Sequence, residues 1–392
     1  SSADNWYLVD SMRGLSHHPN VSNDVNLYVN EPNAESAIGL VDLTSTGFKT
    51  TLYGNANVNT REYIYMAIRR GPMSEPSDVD DVFSVNIRGT GDSPNNVWPI
   101  GFNADMNINT KTSGATRYLF ARGTAMKSLA IDSTSQAGDA SDSTFFNSKT
   151  NTLDANTNWW STSTNVISYS WKRAPKYFDH LAYTGNGTAG RSLTHNLGVA
   201  PEMTWIKRMD SASNWRVNIA ALGTNGSDSP SLRLNLTNAA EDDNGSYYGN
   251  NNSGGYSAPT ATALTLGGHT DVNGDGSYYS AFLFATLAGI SKVGTYVGNA
   301  TNDRVIDCGF SSGASFVLIK ETDNNSYWFV YDSVRGITTG TTDPAIYLNQ
   351  TDAQASESGT QAIQPDNSGF KISSISSLNN NDGIFIFYAV AA

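Results

Sequence analysis

Asp271-Val272-Asn273-Gly274-Asp275-Gly276 sets oxygen-bearing side chains at alternate positions, the spacing of the first half of a helix–loop–helix calcium loop. Phe282 stands at the twelfth place, where such a loop needs a bidentate carboxylate. The matching stretch near the end of the chain is Asn380-Asn381-Asp382-Gly383. Both stretches precede an apolar run, and both carry the Asn/Asp–Gly chemistry that supplies positive φ in tight turns. They read as hairpin turns, and no metal or other cofactor is expected. His17-His18 lacks the nearby Cys or carboxylates that would complete a metal site. His195 and His269 stand apart from any Ser or Cys motif that would make either a general base. The 36 acidic residues show no spacing that selects a pair for glycoside hydrolysis. Asp10 with Arg13, and Asp332 with Arg335, each follow a strand-like run and read as structural ion pairs or turn caps.

The aromatic residues of polar stretches are the better binding candidates. Trp159 and Trp160 lie in a Ser-, Thr-, Asn- and Asp-rich excursion over residues 132–165, and Tyr247, Tyr248 and Tyr256 in a second one over 241–260. Flat rings among amides suit stacking on sugars, and equally burial in a subunit interface or a core. The single cysteine, Cys308, sits in Val305-Ile306-Asp307-Cys308-Gly309 and reads as a buried small hydrophobe, with no intrachain disulfide available.

The elements that carry these residues recur. Trp6 to Gly14 is Trp-Tyr-Leu-Val-Asp-Ser-Met-Arg-Gly, and Trp328 to Gly336 is Trp-Phe-Val-Tyr-Asp-Ser-Val-Arg-Gly. In both, the Trp precedes the Gly of a Gly-Phe-Lys by 41 residues, and the Phe precedes the Ala of a closing strand by 19: Phe48 to Ala67, Phe370 to Ala389. A third copy centres on Trp215, with Lys207 eight residues before it, as Lys320 is before Trp328. A fourth, more diverged, runs through Tyr118-Leu119-Phe120-Ala121-Arg122-Gly123 and closes at Trp171-Lys172-Arg173-Ala174-Pro175. A period near one hundred residues makes each copy a domain, not a solenoid turn.

Four units follow: residues 1–79, 80–176, 177–290 and 291–392. The first has no counterpart of the strands that open the others, so the chain is expected to start inside a domain. Its strands are expected at Tyr7–Val9, Asn26–Asn30, Phe48–Tyr53 and Glu62–Ile68. Short β-branched and aromatic runs broken by Asn, Gly and Pro predict an all-β chain of tandem antiparallel β-sandwiches, jelly-roll-like, arranged end to end as a semi-rigid rod. Closing strands apolar on both parities, such as Ile384-Phe385-Ile386-Phe387-Tyr388, are expected to be central. A formal net charge of −12 without a basic run argues against a nucleic-acid partner, and no stretch has the length of a membrane span.

Tyr183-Thr184-Gly185, His195-Asn196-Leu197-Gly198-Val199-Ala200-Pro201-Glu202-Met203, Ile206-Lys207-Arg208, Trp215 and Leu234-Asn235 together resemble a repeat domain of tailed-phage structural proteins, as do Leu283 to Gly294 and the Asp-Ser-x-Arg-Gly copies. The resemblance is densest over residues 176–392 and thinnest over 80–165. It implies a lectin-like sandwich fold and a non-enzymatic virion protein at the particle surface, of the tail-fibre kind. It implies other virion subunits as partners and carries no catalytic residues. A homo-oligomer, a trimer by analogy with phage fibres, and a host-surface glycan are the further partners expected. A capsid-decorating protein and a carbohydrate-active enzyme or lectin are the alternatives.

Overall fold

The computed structural model describes residues 5–10, 25–44, 47–51, 55–68, 73–88, 98–124, 127–138, 144–147, 152–155, 165–223, 230–249, 255–337, 343–356, 362–374 and 376–392. The fold is all-β, of sandwich type, and its strands pair antiparallel. The runs rich in Val, Ile, Phe and Tyr form the strands, because branched and aromatic side chains pack well on a pleated surface.

In the first unit, β1 (Tyr7–Val9), β2 (Val25–Tyr28) and β3 (Ser36–Ala37) make one small sheet, and β4 (Val41–Thr44) and β5 (Gly47–Thr50) make a hairpin. The second contributes β6 (Phe83–Arg88), β7 (Trp98–Pro99), β8 (Met106–Lys111), β9 (Tyr118–Ala121), β10 (Leu129–Ala130), β11 (Thr144–Asn147), β12 (Thr152–Ala155) and β13 (Val166–Trp171). Its larger sheet runs β10-β9-β8-β13-β6, its smaller β11-β12-β7. The third contributes β14 (Phe178–Thr184), β15 (Arg191–Thr194), β16 (Met203–Arg208), β17 (Arg216–Ile219), β18 (Pro230–Arg233), β19 (Glu241–Asp242), β20 (Ala263–Leu266), the helical turn α1 (Thr270–Asn273) and β21 (Tyr278–Phe284). Its sheets run β14-β21-β16-β17-β18-β19 and β15-β20. The fourth contributes β22 (Ser291–Val297), β23 (Arg304–Asp307), β24 (Ala314–Glu321), β25 (Phe329–Asp332), β26 (Pro344–Tyr347), β27 (Ala355–Ser356), β28 (Ile363–Asp366), β29 (Gly369–Ile372), α2 (Ser376–Asn379) and β30 (Ile384–Ala391). Its sheets run β22-β30-β24-β25-β26-β27 and β23-β29-β28.

The three larger sheets share one plan. The closing strand of each unit (β13, β21 or β30) lies between the strand that opens the unit and the next long strand: β6 and β8, β14 and β16, β22 and β24. The closing strands are therefore central, and burial on both faces explains their apolar parities. Phe385, Phe387 and Ala389 face the core of the fourth unit with Phe370 and Ile306. Ile386, Tyr388 and Val390 face the other way, into a cluster that also holds Trp171, Tyr169 and Met106 of the second unit and Trp205, Phe282 and Phe284 of the third.

That common cluster overturns the end-to-end arrangement. Units two, three and four are not a rod, because their larger sheets turn one apolar face each toward a single shared core. Phe316 of the fourth unit meets Phe83 and Trp171 of the second at ring-centroid distances of 5.7 and 5.5 Å, and Phe284 of the third meets Tyr388 of the fourth at 5.0 Å. A large apolar side chain contributes about 1.5–3 kcal/mol when fully buried, so sheets with two apolar faces gain by covering both.

Residues 62–68, expected to be a strand, pair with none among the described residues, and Ile64, Tyr65, Met66 and Ile68 are exposed. The strands that flank their counterparts in the other units are absent from the described part of this one.

The stretches read as hairpin turns at 271–276 and 380–383 also differ. A helical turn, α1 or α2, comes first, and the tight turn follows, with Gly276 at φ +67° and Asp382 at φ +63°. Side chains hold that helical turn against the opening strand. Tyr183 donates to the carbonyl of Val272 and Tyr296 to that of Leu378, both at 2.6 Å. The Asn273 amide reaches the carbonyls of Thr188 and Gly267, and the Asn379 amide those of Thr301 and Ser373. Gly185 and Gly298 admit the turn: a Cβ there would lie 2.0 Å from the Gly274 oxygen or 1.8 Å from the Asn380 oxygen. The recurrent Tyr-x-Gly is thus the docking face for this turn.

Candidate functional site

The sequence candidates divide. Trp159 and Trp160 lie outside the described residues, as do His17, His18 and Arg13. Tyr247, Tyr248 and Tyr256 are buried, so they are core residues and not a stacking surface. The Tyr248 hydroxyl donates to the Arg216 carbonyl at 3.0 Å, and that of Tyr256 to the Asn218 side chain at 3.2 Å. Burial pushes the Tyr256 phenol up to about 12. Tyr247 lies under Arg216, whose guanidinium carbon is 3.7 Å from the ring centroid. Arg216 also binds Asp271 and Glu241, each at 2.8–2.9 Å. Asp271, the first residue of the calcium-like stretch, is thus engaged by an arginine. Among the described residues, no three His, Cys, Asp or Glu side chains gather closely enough to hold a metal ion.

The polar groups that the fold does bring together lie at the junctions between units. Trp215 donates through Nε1 to the Ala130 carbonyl of the second unit at 2.7 Å, and Trp328 to the Arg233 carbonyl of the third at 3.0 Å. Eight residues earlier in the chain, Lys207 Nζ reaches the Thr134 carbonyl at 3.0 Å, and Lys320 Nζ the Thr237 carbonyl at 3.3 Å. The amides of Ser213 and Ser326 donate to those same two carbonyls, each at 2.8 Å. The Lys-to-Trp spacing seen in the sequence is therefore a two-pronged clamp on the preceding unit. Both lysines are fully buried, and burial pulls each down to about 8.

The third junction joins the fourth unit back to the second, and it uses different residues. Arg117 stands in the second unit where the others have Trp. Its amide donates to Asp132 at 3.1 Å, as the amides of Trp215 and Trp328 donate to Asn235 and Asn349 at 3.0 Å. Its guanidinium reaches the Asp352 carbonyl of the fourth unit at 2.5 Å. Asp332 accepts from Tyr169 of the second unit at 2.7 Å and from Arg335 Nε at 2.7 Å, while Arg335 also donates to the Tyr169 hydroxyl at 3.0 Å. The Asp332–Arg335 pair is the turn cap expected after a strand, since Asp332 Oδ1 accepts from the amides of Val334 and Arg335. It is also a cross-link between units. Burial pushes the Tyr169 phenol well above its ordinary value, with Asp332 adding to the rise.

One main-chain bond recurs at all three junctions: Ala137 N to Met209 O, Ala240 N to Thr322 O, and Gln354 N to Thr112 O, at 2.9, 2.6 and 2.9 Å. The second unit is held by the third, the third by the fourth, and the fourth by the second, so the set closes on itself. The residue numbers that end this set coincide with a family boundary. The chain belongs to the family described as a domain of unknown function, DUF7483, which matches residues 76–392. The matched span holds the three units of the closed set and none of the three strand pairings found among the described residues before residue 76. No curated protein and no solved structure matches this chain.

A shallow open depression between β22 and β23 is lined in part by Gly294, Val305, Phe387, Lys292 and Asp307. Its lining carries one cation and one carboxylate, not the facing carboxylate pair of a glycosidase. Sequence reading did not reveal Arg117, Tyr169 or the acceptor carbonyls of 130–134 and 233–237. Spacing gave no signal for Arg117, because Asp132 follows it by 15 residues where Asn235 follows Trp215 by 20 and Asn349 follows Trp328 by 21.

Proposed function

We propose that the chain is a non-enzymatic structural protein of a tailed-phage particle, exposed at the virion surface and assembled as a homo-oligomer. The observation that carries the structural part is the closed set of three units. Its buried arginines, lysines, tryptophans and Asp332 are committed to carbonyls and partners across unit junctions, which is the use of polar groups expected of a building block. The phage assignment comes from the resemblance of the repeats to tailed-phage structural domains. The acidic balance suits a soluble, surface-borne part that avoids nucleic acid. A tail fibre or other appendage is the first reading, with host-glycan contact assigned to the polar stretch of sequence that carries Trp159 and Trp160.

A head-decorating subunit is the second reading. The compact closure of units two to four favours it, because the reach of a rod no longer argues for a fibre. Imaging of particles labelled with an antibody to residues 293–392, together with an assay of purified protein on host polysaccharide, tests both. Label on the tail supports the appendage and label on the head the decoration. Absence of label from the particle, or polysaccharide cleavage lost on changing a single carboxylate, overturns the structural reading.

A further inference from the structure

Three junctions close the set of units, but the chain itself crosses only two of them. Residues 172–177 join the second unit to the third, and residues 285–290 join the third to the fourth. Each connector is pinned by a bridge at its turn, Ala174 with Phe178 and Leu287 with Ser291. Units on either side of such a connector cannot separate unless it unravels. The fourth unit meets the second with no connector between them. Arg117 and Asp352, which touch across that seam, are 235 residues apart in the chain. This seam alone can part as a rigid-body movement.

Its polar clamp is also the least complete. Met106 pairs with Trp171 as Met203 pairs with Phe284, so Thr110 stands where the third unit has Lys207. Lys207 and Lys320 reach the carbonyls of Thr134 and Thr237. Thr237 lies two residues beyond Asn235, as Thr351 lies two beyond Asn349, yet with threonine at 110 this seam has no counterpart of those lysines. Thr110 Oγ1 is buried without a hydrogen-bond partner, as are Arg117 Nε and Asp132 Oδ1 on the same side of the seam. Such atoms cost free energy in the closed form and regain water when the faces separate. Apolar contact works the other way. Phe316 meets Phe83, Tyr169 and Trp171 at ring-centroid distances of 5.7, 5.2 and 5.5 Å, which favours closure. At the rim the two main chains touch directly. A Cβ on Gly114, at φ +90°, would lie 2.8 Å from both the Ala353 nitrogen and the Thr351 oxygen.

We propose that the seam between the fourth and second units is a latch: the closed set opens there, reversibly and ahead of its other two junctions, and the open form presents Phe83, Trp171 and Phe316 to solvent. The connectors are the hinges, each with a residue already at positive φ, Lys176 at +62° and Gly289 at +76°. Opening of this kind is sub-global: the sheets stay folded while one contact between them is lost. Access to the shared core is then a two-state property of the folded chain. The latch lies within residues 76–392 and does not rest on the phage reading.

The recurrent main-chain bond supplies one probe at each junction: the amides of Ala137, Ala240 and Gln354. Native-state hydrogen exchange of the full chain is measured at these three and at Leu348, whose amide bonds Trp328 within the fourth unit. After correction for the rates of the unfolded sequence, Gln354 should exchange at least about tenfold faster than the other three. Gly114→Ala drives a Cβ into the opposite main chain and should speed Gln354 further, with Ala137, Ala240 and Leu348 unchanged. Gly101→Ala is the control for backbone strain. Its φ is +77°, but its Cβ would meet nothing nearer than the Asp80 oxygen at 4.0 Å, so Gln354 should keep its rate. A Gln354 amide as slow as those of Ala137 and Ala240 overturns the proposal. So does a Leu348 amide as fast as Gln354, which assigns the exchange to unravelling of β26. Equal acceleration of Gln354 by the two glycine variants overturns it as well.

Discussion

The amide of Arg117 donates to the carboxylate of Asp132, and this bond is the counterpart of the one that joins Trp328 to Asn349. Both side chains then reach a carbonyl of the neighbouring unit, one by a guanidinium and the other by an indole. The position is conserved in role across units while the residue type changes. Arginine spans farther and offers more donors, which suits a junction closed between segments distant in the chain.

Trp328→Ala is expected to cost on the order of 3–5 kcal/mol, the sum of lost burial and an unfilled cavity. Trp6→Ala should cost under about 1 kcal/mol, because Trp6 is exposed. Urea unfolding followed by far-ultraviolet circular dichroism compares the two. Equal losses would contradict the burial difference between these counterparts.

Tyr169→Phe removes a hydroxyl that bridges Asp332 and Arg335 across a junction, and a loss of about 1–3 kcal/mol is expected. Arg335→Ala leaves Asp332 buried without its cation and should cost about 3–5 kcal/mol. A double-mutant cycle of the two should show coupling, because they share one network. Additivity would mean that the junction does not depend on this triad.

Alkaline pH should first stabilise and then destabilise the fold. Lys207 and Lys320 are held by burial at about 8, against 10.5 for the free side chain. Between those values the unfolded chain binds more protons than the folded one, so stability rises with pH. Above about 10 the buried tyrosines reverse the sign. Burial raises Tyr183 and Tyr248 well above their ordinary value, so the unfolded chain releases protons that the folded chain keeps. The urea midpoint should therefore pass through a maximum between roughly pH 9 and 10. In a Lys207→Met, Lys320→Met double variant the initial rise should disappear; its persistence would exclude these lysines as the source.

Cys308 should resist alkylation in the native state. It is buried, and burial pushes its thiol up to about 12, which leaves little thiolate at neutral pH. Mass spectrometry after brief iodoacetamide treatment should find it unmodified without denaturant and modified in 6 M guanidinium. Rapid native labelling would show that β23 opens readily.

The antiparallel strands and the central place of Ile384–Ala391 were legible because burial imposes composition and the repeat imposes spacing. The fate of Tyr247, Tyr248 and Tyr256 was not. A tyrosine flanked by Asn, Gly and Ser has the local signature of a loop, yet each ring here is buried against strands distant in sequence. The rod expectation failed for a related reason. Two apolar parities on β30 reveal that both faces are covered, but not that one cover is another unit's sheet. Periodicity reports how much is buried and leaves open by what. Carbonyl acceptors such as those of Ala130 and Thr134 leave no mark on sequence at all, since every residue has one.

The closed order of the junctions also bears on how the protein is made. Trp171 and Phe284 pack against Phe316 and Tyr388, which are translated later. At synthesis rates of about 5–20 residues per second, the nascent second unit holds one apolar sheet face open for on the order of ten to forty seconds. Until β30 has left the ribosome, that face is available to chaperones and to neighbouring nascent chains. Clearance of β30, not the folding of any single unit, then sets the moment at which this shared core becomes safe from aggregation.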